Sequence, residues 1–255
     1  MKFHEFGNPK NQKIMLIHGV LTPWQIWKPQ IEYFKRYYFV IVPALDGHIE
    51  ECKSEFLSLE KEAEVIEKYY IEKYGREIFA VCGLSMGGAI SYVLFKNKNL
   101  IIKNLVLDGA PLVPFGKLLT KVMTKNYIEI IHKSHQRDTK TLDNFGKVFL
   151  PLKYLDDYLK IADTMSDETI KNIMNSVNEN RFDSSVSFDD THLLYIHGTK
   201  INEVASKKSA RLISKYYPDT DIVCCKGYMH CYKAIYEPDD WINIVDNFFK
   251  NNDKK

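Results

Sequence analysis

Gly83-Leu84-Ser85-Met86-Gly87-Gly88 is the stretch on which the reading of this chain turns. It follows the short apolar run Ile78–Val81 and opens a helix-like stretch, Ala89–Phe95, so a G-x-S-x-G pattern stands between a strand and a helix. A serine on so sharp a turn needs neighbours without Cβ, so that backbone can approach backbone and Oγ can stand clear. A helix beginning at Met86 then aims its free N–H groups at negative charge developing beside that serine. The pattern arises by chance about 0.03 times in a chain of this composition, before its strand–turn–helix setting is counted. Cys82 reads as a small buried hydrophobe at the strand end. Ser85 is the candidate nucleophile.

Outward from the serine, further short apolar runs recur: Ile14–Ile17, Phe39–Val42, Leu105–Leu107, Leu193–Ile196 and Asp221–Cys225. Four or five nearly continuous apolar residues, closed by Gly, Pro or a polar turn, read as strands of a parallel sheet buried on both faces. Helical patterns fill the intervals. Leu59, Ala63, Ile66 and Tyr70 share one helix face, with Ser58 as N-cap and Gly75 as stop. The alternation predicts an α/β fold with a mostly parallel, doubly wound sheet. One interval, residues 112–190, breaks it. It has no convincing strand, and Ile170, Ile173, Met174 and Val177 form a helical stripe behind Asp167 and Glu168. The expected organisation is a core of residues 1–111 and 191–255, interrupted by a helical cap over 112–190. Lys250–Lys255 is expected to be a frayed, solvated tail.

The chain has 255 residues, enough for a sizeable core, and is 45% hydrophobic, which excludes a disordered protein. A net charge of +2 gives no field favouring nucleic acid or anionic lipid. No apolar run approaches the roughly 20 residues that span a bilayer. The N-terminal segment carries Glu5 and has no apolar core, so no secretory signal is expected. Cys52, Cys82, Cys224, Cys225 and Cys231 are odd in number and form no C-x-x-C pair, which reads as reduced thiols in a cytoplasm. There is no phosphate loop, no dinucleotide motif and no metal-ligand spacing, and no cofactor is expected.

With these residues in view the chain resembles the α/β-hydrolase family, in particular its cap-containing, serine-nucleophile esterases, and the resemblance covers almost the whole length. Ile14-Met-Leu-Ile-His18-Gly19-Val20 looks like the family's first oxyanion strand and turn. The resemblance implies that the amides of Val20 and Met86 hold an oxyanion. Val40–His48 looks like the next strand and loop, with Ala44 where the family usually has Asp and Asp46 two residues later. His18 and His48 then fall in structural loops, and His132, His135 and His192 have no motif around them. The family order, Ser then acid then His, points to His230 after the last strand as general base.

The acid departs from the pattern. The family commonly reads Gly-x-x-Asp here, whereas this chain has Gly198-Thr-Lys-Ile201-Asn-Glu203. Glu203 is therefore the favoured acid, and Asp108, one strand earlier, the alternative. Trp24 and Trp27, just beyond the oxyanion turn, are expected to border the substrate. Tyr127, Phe145, Phe149, Tyr154 and Tyr158 stand between an acyl pocket and ordinary core packing, with core packing favoured. Asp156 and Asp157 could hold a substrate amine in the cap, but acidic pairs on exposed helix faces are common.

The resemblance implies hydrolysis of a small carboxylic ester through an acyl-enzyme. Thioesters or small amides are alternatives on the same triad. A non-catalytic ligand-binding protein on a hydrolase scaffold is the alternative from another class.

Overall fold

The computed structural model describes residues 1–50, 53–188 and 190–252; Cys52 and the last three residues of the expected tail lie outside these. Seven strands form one sheet in the order β1-β3-β2-β4-β5-β6-β7. The chain runs β1 (Lys2–Phe6), β2 (Lys13–Ile17), a 3-10 turn at Trp24–Trp27, α1 (Lys28–Phe34), β3 (Phe39–Ala44), α2 (Leu59–Tyr74), β4 (Glu77–Leu84), α3 (Met86–Asn97) and β5 (Ile101–Asp108). Four helices come next: α4 (Lys117–His135), α5 (Thr139–Val148), α6 (Leu155–Ala162) and α7 (Asp167–Glu179). Then follow β6 (His192–Gly198), α8 (Val204–Tyr216), β7 (Asp221–Cys225), α9 (Tyr232–Tyr236) and α10 (Pro238–Asn252).

Strands β2 to β7 pair in parallel, and only β1 runs antiparallel, on the edge beside β3. The predicted strands are all present. β1 was not expected, because Lys2-Phe-His-Glu-Phe6 alternates charge with aromatics and is only half-buried. β7 was expected to be buried on both faces. It is the other edge strand, with only Cys225 buried.

Period-2 alternation divides the core. Ile14 and Leu16 of β2, with Val40 and Val42 of β3, pack on one face beside Phe34 of α1 and Trp241 and Val245 of α10. Met15, Ile17, Phe39 and Ile41 pack on the other, against Leu59, Ala63, Ile66 and Tyr70 of α2 and Ile213 of α8. Each such burial stabilises the fold by about 1.5–3 kcal/mol. Ser58 caps α2 by accepting the Lys61 amide at 3.2 Å, and Gly75, at φ 81°, ends it.

Between β5 and β6 the described residues contain no strand, only α4 to α7 and a 3-10 turn at Leu152–Tyr154. The predicted stripe on α7 is buried, with Ile170 and Met174 joining one core and Ile173 and Val177 the other. Along the sheet, β3 lies on one side of β2 and β4 on the other, so the strand order reverses there. A crevice opens at the C-terminal ends of strands at such a reversal. Among the described residues no helix is long and apolar enough to cross a membrane.

Candidate active site

β4 delivers Ser85 to this crevice. The residue sits at φ 51° and ψ −113°, a strained conformation that costs about 1–3 kcal/mol and caps the start of α3. Its N–H donates to the Asp108 carbonyl at 2.8 Å, which ties the turn to the next strand. The flanking glycines are steric requirements. A Cβ on Gly83 would stand 2.3 Å from the Gly87 carbonyl oxygen, and one on Gly87 would stand 2.3 Å from that of Ile17. Met86 follows as the first residue of α3, where an amide has no intrahelical acceptor. Cys82 is fully buried, and burial pushes its thiol far up, as a strand-end hydrophobe requires.

The turn after β2 is pinned around Val20. The Gly19 carbonyl accepts from the Thr22 hydroxyl at 2.8 Å and from Nδ1 of His18 at 2.9 Å, which assigns the proton of His18 to Nδ1. Its Nε2 then accepts the Leu45 amide at 3.2 Å. His48 repeats the arrangement, with Nδ1 donating to the Asp46 carbonyl and Nε2 accepting the Leu21 amide, both at 3.2 Å. Burial, with His48 alongside, pushes His18 down to about 3, and burial pushes His48 down to about 4. Both imidazoles are therefore neutral braces. Among the other histidines, His132 faces Asp167 on the surface, His135 bonds the Ala162 carbonyl, and His197 bonds the Gly198 carbonyl.

His230 follows β7 and is partly exposed. Its Nδ1 faces Oε2 of Glu203 at 3.4 Å, an ion-pair contact too poorly aligned to count as a hydrogen bond. Glu203 is fully buried, and its other oxygen accepts the Gly198 amide at 3.0 Å. Burial alone would push its carboxyl up, but His230 and the Gly198 amide outweigh this and hold it below the usual range. Burial likewise lowers His230, and the Glu203 and Asp108 carboxylates more than reverse this. Ile201, at the usual acid position, is 87% exposed.

Asp108, the alternative acid, is buried at the end of β5 and accepts the Trp241 indole N–H at 3.1 Å. Burial, with Glu203 nearby, pushes its carboxyl up to about 7. No ion pair joins it to His230 among the described residues, and only Glu203 faces the imidazole in that way.

Ser85, His230, Gly19 and Val20 line one cavity of about 270 Å³. Of the aromatics between β5 and β6, Tyr127 and Phe149 reach it; Phe145, Tyr154 and Tyr158 are core, with Phe145 stacked on Tyr158 at 3.9 Å. Asp156 and Asp157 do not line it, and Asp157 pairs with Lys160 and Lys28. The expectation for Trp24 and Trp27 is corrected. The 3-10 turn carries Trp24 onto His4 of β1, and Trp27 into the core against Trp241 of α10, so neither borders the cavity. Phe115, Met123, Val148, Asn202, Ser206 and Ile235 do line it and were not foreseen. Exposed and cavity-facing positions on short helices carry no distinguishing period.

No family model matches the chain. A stretch of 45 residues is 42% identical to the (E)-2-((N-methylformamido)methylene)succinate hydrolase of Acinetobacter baylyi, covering 18% of this chain and 17% of that protein's length. Solved structures match over nearly the full chain. One is a putative alpha/beta hydrolase family protein from Desulfitobacterium hafniense, 20% identical over 97% of this chain and 99% of that one, with TM-score 0.74. Another comes from work on carboxylesterases of Nitrososphaera gargenis, 13% identical over 99% and 95%, with TM-score 0.77. A third is an enol-lactonase from Burkholderia xenovorans, 15% identical over 98% and 96%, with TM-score 0.73. The chain has the α/β-hydrolase fold.

Proposed function

We propose that the protein is a serine hydrolase that cleaves a small carboxylic ester through an acyl-enzyme. Ser85 Oγ attacks the ester carbonyl while Nε2 of His230 takes its proton. Glu203 orients the imidazole and stabilises the imidazolium. The Val20 and Met86 amides receive the oxyanion, and the N-terminus of α3 adds favourable potential there. The tetrahedral intermediate expels the alcohol, which leaves with the proton from His230. Water, deprotonated by the same imidazole, then releases the acid and restores Ser85.

One observation carries this reading. A serine on a strained turn and an imidazole facing a buried carboxylate line the same cavity. A scaffold that only bound ligand would have no use for that strain or for burying Glu203. The similarity in fold to carboxylesterases and an enol-lactonase supports hydrolysis in general. Helices α4 to α7, the proposed cap, supply Met123, Tyr127 and Val148 to the cavity wall, so they would choose the substrate. Thioesters and small amides would pass through the same acyl-enzyme.

The test is hydrolysis of a p-nitrophenyl ester series of increasing acyl length by wild type, Ser85→Ala and His230→Ala, with folding followed by circular dichroism. Turnover by wild type that falls at least about 10³-fold in both folded variants supports the mechanism. Equal turnover by wild type and Ser85→Ala would refute it.

A further inference from the structure

The cavity beside Ser85 contains no lysine, arginine, aspartate or glutamate among its lining residues. Its titratable members are His230, Cys231 and Tyr127. Burial pushes the Tyr127 hydroxyl up to about 12, so that group stays neutral. The remaining wall is largely apolar, with Phe115, Met123, Val148, Phe149 and Ile235, and its other polar side chains, Thr22, Ser85, Asn202 and Ser206, are neutral. Behind His230 stand two buried acids, Glu203 and Asp108, and both raise its affinity for a proton. The site thus offers an entering acyl chain no lysine or arginine, and the Glu203 carboxylate stands behind its imidazole.

A carboxylate moved from water into such a wall would lose its hydration and meet only neutral donors such as the Thr22 and Ser206 hydroxyls and the Asn202 amide, with no cation to offset its charge. A neutral alkyl chain would gain about 0.8 kcal/mol per methylene buried. At about 30 Å³ per small group, the cavity of about 270 Å³ holds about nine groups, so a chain of roughly six carbons fits beside the carbon and two oxygens of the reacting ester.

We propose that the cavity takes uncharged acyl groups of short to medium length and rejects esters whose acyl chain ends in a carboxylate. This assignment rests on the serine-hydrolase reading above and narrows it to a substrate class. Specificity then lies in Met123, Tyr127 and Phe149, which the helices and loops between β5 and β6 place around the chain.

The test compares p-nitrophenyl hexanoate with the mono-p-nitrophenyl ester of adipic acid, which has the same chain length and a terminal carboxylate. The expected kcat/KM for the hexanoate is at least about 100-fold higher, since a buried unpaired charge is penalised far more than a methylene is rewarded. Phe149→Arg should raise the adipate ester relative to the hexanoate by at least about tenfold, by giving the carboxylate a partner. Equal kcat/KM for the two esters in wild type overturns the substrate class and leaves the hydrolase reading intact.

A binding arm on Ser85→Ala separates the two claims. Hexanamide should bind at least about tenfold more tightly than the adipic monoamide anion, with or without turnover. If that preference holds while a fluorophosphonate fails to label Ser85 in wild type, the hydrolase reading falls and the ligand class stands. If the anion binds as well as hexanamide, the ligand class falls.

Discussion

His230 and Glu203 face each other at 3.4 Å between Nδ1 and Oε2, although the carboxylate arrives from two residues beyond the position where the fold's usual pattern would put it. The 3-10 turn Ile201–Glu203 makes this possible. It leaves Ile201 in solvent and turns Glu203 inward, where the Gly198 amide holds one oxygen and frees the other for the imidazole. The longer glutamate side chain spans what a shorter acid at position 201 would otherwise reach.

Glu203→Gln should therefore lower kcat by about 10³-fold or more, because a neutral amide neither fixes the tautomer of His230 nor stabilises its cation. Asp108→Asn should stay within about tenfold of wild type, since the Asp108 carboxyl, raised to about 7, already holds a proton much of the time near neutrality. Steady-state kinetics on one ester decides between the two acids. The opposite ranking would move the acid to β5.

The pH profile follows from the same contacts. His230 must be neutral to accept a proton, and its affinity for protons is raised above the ordinary value of 6.5. The acid limb of kcat/KM should accordingly have its midpoint above 6.5 in wild type. Removing the Glu203 charge leaves burial to lower the imidazole, so the limb in Glu203→Gln should move to lower pH, measured on the residual activity. An unmoved limb would detach His230 from Glu203.

Glu62 gives a stability prediction away from the site. It is 1% exposed, and burial, with the Asp46 carboxylate nearby, raises it from 4.5 to about 8 in the folded protein. Its folded value lies above its unfolded one, so its contribution is full below about 4.5 and is lost as pH rises through about 8. Glu62→Gln keeps an acceptor for the Asp46 amide, 3.1 Å away, without the charge. Urea unfolding should show the variant more stable than wild type by on the order of 2–4 kcal/mol near pH 9, and matched to it near pH 4.

Trp241→Phe should destabilise the fold by about 1–3 kcal/mol, because it leaves the buried Asp108 carboxyl without its indole donor. Chemical denaturation reads this loss directly. The effect on kcat should remain under about tenfold, since Trp241 does not line the cavity.

The glycine-flanked turn at Ser85, the sheet and the place of His230 after the last strand were legible in the sequence because each depends on local requirements. Glycines that admit close backbone, apolar runs buried on both faces and a histidine after the last strand all leave short signatures. β1 escaped because an antiparallel edge strand needs only one half-buried face, and Lys2 and Glu5 masked its pattern. Trp24 and Trp27 misled because closeness in sequence to the turn after β2 became distance from the cavity once the 3-10 turn redirected the chain. Tyr127 and Tyr158 are both helical aromatics, yet one faces the cavity and the other hydrogen-bonds Ser134 at 2.8 Å in the core. Only packing between helices separates them, and no single helix encodes it.

The most direct measurement is fluorophosphonate labelling of the folded protein, with the adduct located by peptide mass mapping. A single adduct on Ser85, absent from Ser85→Ala and formed far more slowly by His230→Ala, is the predicted result. No adduct on folded wild type, or equal labelling of Ser85→Ala at another residue, would contradict a nucleophilic Ser85.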